Sequence, residues 1–148
     1  MAVKSTPGLI ILLALLALVA GVLIYYGKPL SRNGTSLPPA EKPGLIRLSQ
    51  PRPNDVIASP LTLTGEARGN WFFEASFPVR LLDGNGRELA AAPAQAQREW
   101  MSAEFVPFHA ELAFTAPATA GGTLVLEKDN PSGLPEHADE LRIPVRFR

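Results

Sequence analysis

A chain of 148 residues with zero formal net charge has room for one ordinary domain and an appendage, and has no global basic field to hold nucleic acid. The absence of cysteine excludes disulfides, thiolate catalysis and cysteine-based zinc sites. Fifteen prolines and twelve glycines are scattered without a repeat, which excludes a collagen-like chain.

The chain opens with a short head, residues 1–8. Leu9 to Tyr26 then reads LIILLALLALVAGVLIYY, without a charge. As a helix this run spans about 27 Å, close to a hydrocarbon core of about 30 Å. Tyr25 and Tyr26 fall where an interfacial aromatic belt sits, and Lys4 and Lys28 bracket the run. We read residues 9–26 as an uncleaved transmembrane anchor. The rival reading is a cleaved signal peptide. Against it, the apolar run continues through Val22, Leu23 and Ile24, past the one small-residue candidate at Ala20-Gly21, and Leu18 is a poor residue three places before such a cut. Where a lipid-bearing cysteine would follow, Val22 stands instead. Lys4 and the terminal amine nearly balance Lys28 and Arg32, so loop charge sets the orientation weakly. A short head before one span and a folded module favours the bulk of the chain on the extracytoplasmic side.

Residues 27–44, GKPLSRNGTSLPPAEKPG, form a stalk. Pro29, Pro38, Pro39 and Pro43 exclude regular helix, and few apolar groups offset the cost of ordering. Its unperturbed reach is about 23 Å, and more if the prolines stiffen it. Asn33-Gly34-Thr35 matches a glycosylation acceptor, which we read as a turn.

From Leu45 the pattern becomes one of short strands. Trp71, Phe73, Ala75, Phe77, Val79 and Leu81 alternate with Phe72, Glu74, Ser76, Pro78, Arg80 and Leu82, so the first set is expected on one apolar face. Asp83-Gly84-Asn85-Gly86 then supplies a hairpin turn. The same period recurs at Leu61 and Leu63, at Phe108 to Phe114, at Leu124 and Leu126, and at Leu141 to Phe147. In the last run Pro144 and the arginines read as protection of a sheet edge. Ala90 to Gln97 has helical composition but is interrupted by Pro93. About seven short strands in about a hundred residues predict an all-β antiparallel sandwich.

Gly65-Glu66-Ala67-Arg68, WFFEA at 71–75, DGNG at 83–86, FVPFHAELAF at 105–114, Pro117, Gly122-Thr123-Leu124 and Ile143-Pro144-Val145 together resemble the immunoglobulin-like domain of bacterial spore germination. The resemblance spans residues 45–148. It implies an immunoglobulin-like sandwich in an anchored protein of the bacterial envelope, and it carries no catalytic residue.

No candidate chemistry stands out. His109 lies on the polar face of its strand beside Glu111. Glu136 to Glu140 is an acidic loop without the spacing of a metal site, and Asp83 and Asn85 are explained by their turn. No serine stands near a convincing histidine and acid, and there is no phosphate-binding glycine loop. We therefore expect no enzyme, no cofactor, no metal and no nucleic acid. The expected partners are the membrane, through Leu9 to Tyr26, and an envelope protein or polymer. In an immunoglobulin-like sandwich three loops meet at one end. Here these are Gly69-Asn70, residues 99–105 and residues 130–139. Trp100, Met101 and Phe105, with Phe72 and Leu134 near them, form a candidate partner surface. The competing reading has Trp100 and Phe105 plugging the end of the sandwich. Two other functions stay open: an accessory subunit whose span packs through Ala14, Ala17 and Gly21, and an enzyme with an unrecognised site.

Overall fold

A computed structural model describes residues 40–148. The expected anchor at residues 9–26 lies outside them, as do stalk residues 27–39. Among the described residues no helix is long and apolar enough to cross a membrane. The fold is all-β. Its strands are β1 (Ala40–Lys42), β2 (Ile46–Gln50), β3 (Val56–Ile57), β4 (Leu61–Arg68), β5 (Ser76–Asp83), β6 (Glu88–Ala96), β7 (Phe105–Leu112), β8 (Gly121–Glu127) and β9 (Glu140–Phe147). They hydrogen-bond in the order β1-β2-β4-β7-β6-β5-β8-β9-β3, antiparallel except for the short β3–β9 pair.

Period-two burial explains the layering. Leu61, Leu63 and Ala67 of β4 and Val106, Phe108, Ala110 and Leu112 of β7 point inward. Phe77, Val79 and Leu81 of β5, Leu124 and Leu126 of β8, and Leu141, Ile143 and Val145 of β9 meet them in one core. Phe77 and Phe108 touch edge to face, centroids 4.9 Å apart. The strand ribbon thus doubles back on itself. β6 makes the corner: most of it pairs with β5, and its last residues, Gln95 and Ala96, pair with His109 and Phe108 of β7. On the outer face Arg80 bridges Glu88 of β6 (2.6 Å) and Glu127 of β8 (2.9 Å). The hydrogen bonds that Arg80 donates to Glu88, first, and to Glu127 hold this guanidinium above its ordinary value.

Several expectations are corrected. The folded unit starts before Leu45, because Ala40–Lys42 pairs with β2. Pro43 and Gly44 occupy the two central positions of a tight turn closed by Leu45 N–H to Lys42 O at 3.0 Å, and Gly44 supplies the positive φ (75°) that such a turn requires. Alanine composition misled the reading of residues 90–97, of which 90–96 are strand. There Pro93 stands opposite Pro78 in β5. Neither can donate, so the pair fits only where both nitrogens point away from each other. The nitrogen of Pro93 therefore faces the side of β6 left without a partner strand, where it removes a donor from an open edge. β9 is not a free edge, since β3 pairs with its end and Asn54 N–H reaches Pro144 O at 2.7 Å.

The strand expected from Trp71 onward also fails at its start. Gly69–Trp71 is a 3₁₀ turn, and β5 begins only at Ser76. Between them Phe73 and Ser76 exchange both backbone hydrogen bonds, 2.9 and 3.1 Å, around Glu74 (φ 48°) and Ala75 (φ 63°). This is a two-residue hairpin turn with positive φ at both centres, built from residues that disfavour it. The inversion it causes buries Trp71 and Phe72, leaves Phe73 43% exposed, and returns Phe77 to the core. Replacing Glu74-Ala75 by Asn-Gly relieves that cost. The double variant is expected to gain about 1 kcal/mol in urea unfolding, and a loss would show that the turn is not strained.

Candidate binding surface

The ends of β4, β6 and β8 and the starts of β5, β7 and β9 lie at one end of the fold, so the three connecting loops gather there as expected. The 3₁₀ turn is their hub. Gly69 N–H donates to Ser102 O (3.1 Å) in the second loop, and Trp71 O accepts from Asp129 N–H (3.0 Å) in the third. Gly69 is required by the first contact: a Cβ there would land on the carbonyl oxygens of Trp100 and Ser102. Trp71 is fully buried beneath the loops, and its Nε1–H finds no acceptor among the described residues.

The five candidate residues part company. Phe72 is buried (4% exposed) against Phe77, centroids 5.2 Å apart, and is core rather than surface. The inverted hairpin is the cause, because it shifts the in–out alternation by one residue. Phe105 is half-buried between two guanidiniums, with Arg47 at 4.2 Å and Arg68 at 4.3 Å from its ring centre. Trp100 packs against the core. Trp100 thus follows the plug reading, whereas Phe105 lies on the outward face of β7, opposite to that of Val106 and Phe108. Met101 (74%) and Leu134 (46%) are exposed. Phe73, assigned from its period to the core, joins them at the surface.

Phe73 lines a groove of about 380 Å³ between the first and third loops, with Asn70, Phe72, Asp129, Pro131 and His137. The third loop forms a firm wall. Asn130 Nδ2 donates to Leu134 O (2.8 Å), so its Oδ1 faces Ser132 and accepts from the hydroxyl at 2.6 Å. Lys128 Nζ donates to His137 O at 3.1 Å.

Ser132 Oγ lies 3.1 Å from His137 Nδ1, a serine–histidine approach that the sequence reading did not anticipate. Its polarity is wrong for a nucleophile. The hydroxyl proton goes to Asn130, and the oxygen accepts from His137 Nδ1–H and from Leu134 N–H (3.3 Å). The histidine donates where a general base must accept, and both serine lone pairs are engaged. His109 and Glu111 stand exposed on β7, and Asp83 Oδ1 accepts from Asn85 and Arg87 N–H at 2.9 Å each, which closes its turn. Among the described residues no group of acidic and histidine side chains has metal-binding geometry.

The antiparallel all-β fold, wrapped around one core with three loops gathered at one end, is consistent with an immunoglobulin-like domain. The chain belongs to the family of immunoglobulin-like domains of bacterial spore germination, whose model matches residues 45–133. That span runs from just before β2 through β8 and ends inside the third loop, short of the residue 148 expected from the resemblance. The comparisons with curated proteins and with solved structures gave no match.

Proposed function

We propose that this protein is a non-catalytic binding or scaffolding module, anchored by residues 9–26 and displayed on its stalk at the extracytoplasmic face of a bacterial membrane. One observation carries the binding half of this reading. At the loop end Phe73, Met101 and Leu134 are solvent-exposed on loops held by backbone hydrogen bonds, where a flexible tip would instead lose them to collapse. The family description supports a place in sporulation or germination. The apolar run at Leu9 to Tyr26 supports the anchor.

Protease accessibility in intact cells, paired with intact-mass analysis of the membrane fraction, tests the display. Any outer membrane is opened first. The expected result is a full-length chain whose residues 27–148 are trimmed from outside the inner membrane. A module cut only together with a cytoplasmic control reverses the orientation. A mature chain starting near Gly21 replaces the anchor with a cleaved leader and a free exported domain.

A further inference from the structure

The turn between β5 and β6 lies at the end of the fold opposite the three loops, and Asn85-Gly86 stands at its tip. Asparagine is a thermolabile residue, because the amide nitrogen of the next residue can reach its side-chain carbonyl carbon. Glycine in that next position has no Cβ to obstruct the approach. Among the described residues Asn85 alone is followed by glycine. Asn54 precedes Asp55, Asn70 precedes the buried Trp71, and Asn130 precedes Pro131, which has no N–H. Asn85 is exposed, and its side-chain amide has no hydrogen-bond partner among the described residues. The space where a Cβ of residue 86 would stand is empty. The turn therefore holds a target, a nucleophile and room for a ring to close.

The native turn restrains that nucleophile. Gly86 N–H donates to Asp83 O at 3.0 Å, and Gly86 takes the positive φ (81°) that the turn needs. Asp83 Oδ1 accepts from Asn85 and Arg87 N–H at 2.9 Å each, and its negative charge opposes loss of a proton from an amide beside it. Gly84 N–H ties the turn to Thr119 Oγ1 at 3.0 Å.

We propose that Asn85 is a site of spontaneous deamidation, gated by opening of this turn, and that its isoaspartyl product weakens the β5–β6 hairpin. In the opened turn hydroxide removes the Gly86 N–H proton, and the nitrogen attacks Asn85 Cγ. The new C–N bond closes a five-membered succinimide. The bond from Cγ to the side-chain nitrogen breaks, and ammonia leaves with a proton from water, which regenerates hydroxide. Water then opens the ring at either carbonyl. Opening at Cγ gives aspartate on an ordinary backbone. Opening at the main-chain carbonyl carbon gives isoaspartate, whose backbone runs through the former side chain and is one carbon longer. That extra carbon displaces the N–H groups of Gly86 and Arg87 from their acceptors on Asp83, and it sets a second carboxylate beside the first. Pairing of β5 with β6 starts next to the turn, at Leu82 and Glu88, so the hairpin loosens from its tip.

Ageing of the full chain in detergent micelles, in mildly alkaline buffer with and without urea, tests the proposal. Peptide mass mapping with electron-transfer fragmentation follows residue 85 and separates isoaspartate from aspartate. Isomerisation at Asp83-Gly84 leaves the mass unchanged, so a mass gain in this peptide reports Asn85. Conversion is expected in both samples, at least about tenfold slower without urea, because only the opened fraction reacts. Thr119→Val removes the acceptor for Gly84 N–H and is expected to speed conversion in buffer but not in urea. The purified isoaspartyl form is expected to unfold at lower urea than Asn85→Asp, which carries the charge on an ordinary backbone. Any of four results overturns the proposal: Asn85 stays intact in urea, the rate is the same with and without urea, Thr119→Val leaves the rate in buffer unchanged, or the isoaspartyl form unfolds together with Asn85→Asp.

Discussion

Trp71→Ala is expected to cost about 4 kcal/mol of stability, the largest loss for any single truncation in the domain. The indole is fully buried at the junction of the three loops, and little around it can collapse into the space it leaves. A loss of that size is a large share of the roughly 5–15 kcal/mol that holds an ordinary domain together. Urea unfolding followed by the fluorescence of Trp100 measures it. A loss below about 1 kcal/mol would show that the indole is not core. Trp71→Phe is expected to cost about half as much or less, because it also deletes the Nε1–H that lacks an acceptor among the described residues, and a buried unpaired donor is itself destabilising. Equal losses in the two variants would mean that the N–H is satisfied in solution.

Gly69→Ala comes next, with an expected loss of about 3 kcal/mol. The φ of Gly69 lies outside the left-handed region, so the whole effect is steric. The new methyl would collide with two backbone carbonyl oxygens, and backbone cannot swing aside as a flexible side chain does. The second loop must then leave the hub, and the bond from Gly69 N–H to Ser102 O goes with it. Thermal unfolding gives the loss, and amide exchange at Gly69 and Met101 reports the loop. Gly121→Ala is the control. Its added carbon would sit 3.5 Å from the nearest atom outside its chain neighbours, Val145 O, and is expected to change stability by less than about 0.5 kcal/mol. Similar losses in both variants would sink the steric account.

The reading of WFFEASFPVRL shows why some of this domain was legible and some was not. Phe77, Val79 and Leu81 obeyed the period of two because an antiparallel strand buried on one face permits no other arrangement. Upstream, the same period ran through Glu74 and Ala75. Nothing in those residue types announces a turn with two positive φ values, for which asparagine and glycine are the usual signal. One hidden inversion therefore exchanged Phe72 and Phe73 between core and surface. Residues 90–97 failed for a related reason. Alanine is neutral between the periods, and only pairing with β5 makes the segment a strand. The open end of the sandwich was readable as three loops, whereas the fate of Phe105 depended on Arg47 and Arg68, which reach it from neighbouring strands.

By itself the sequence determined the all-β class, most of the inward-facing residues, the hairpin at Asp83 to Gly86 and the family, because each rests on local spacing or local turn chemistry. Only the tertiary structure decided which aromatics face solvent, how the loops are tied to Trp71 and Gly69, and that Ser132 accepts from His137. Those are contacts between residues far apart in the chain, and period, composition and turn chemistry carry no information about which distant atoms will meet.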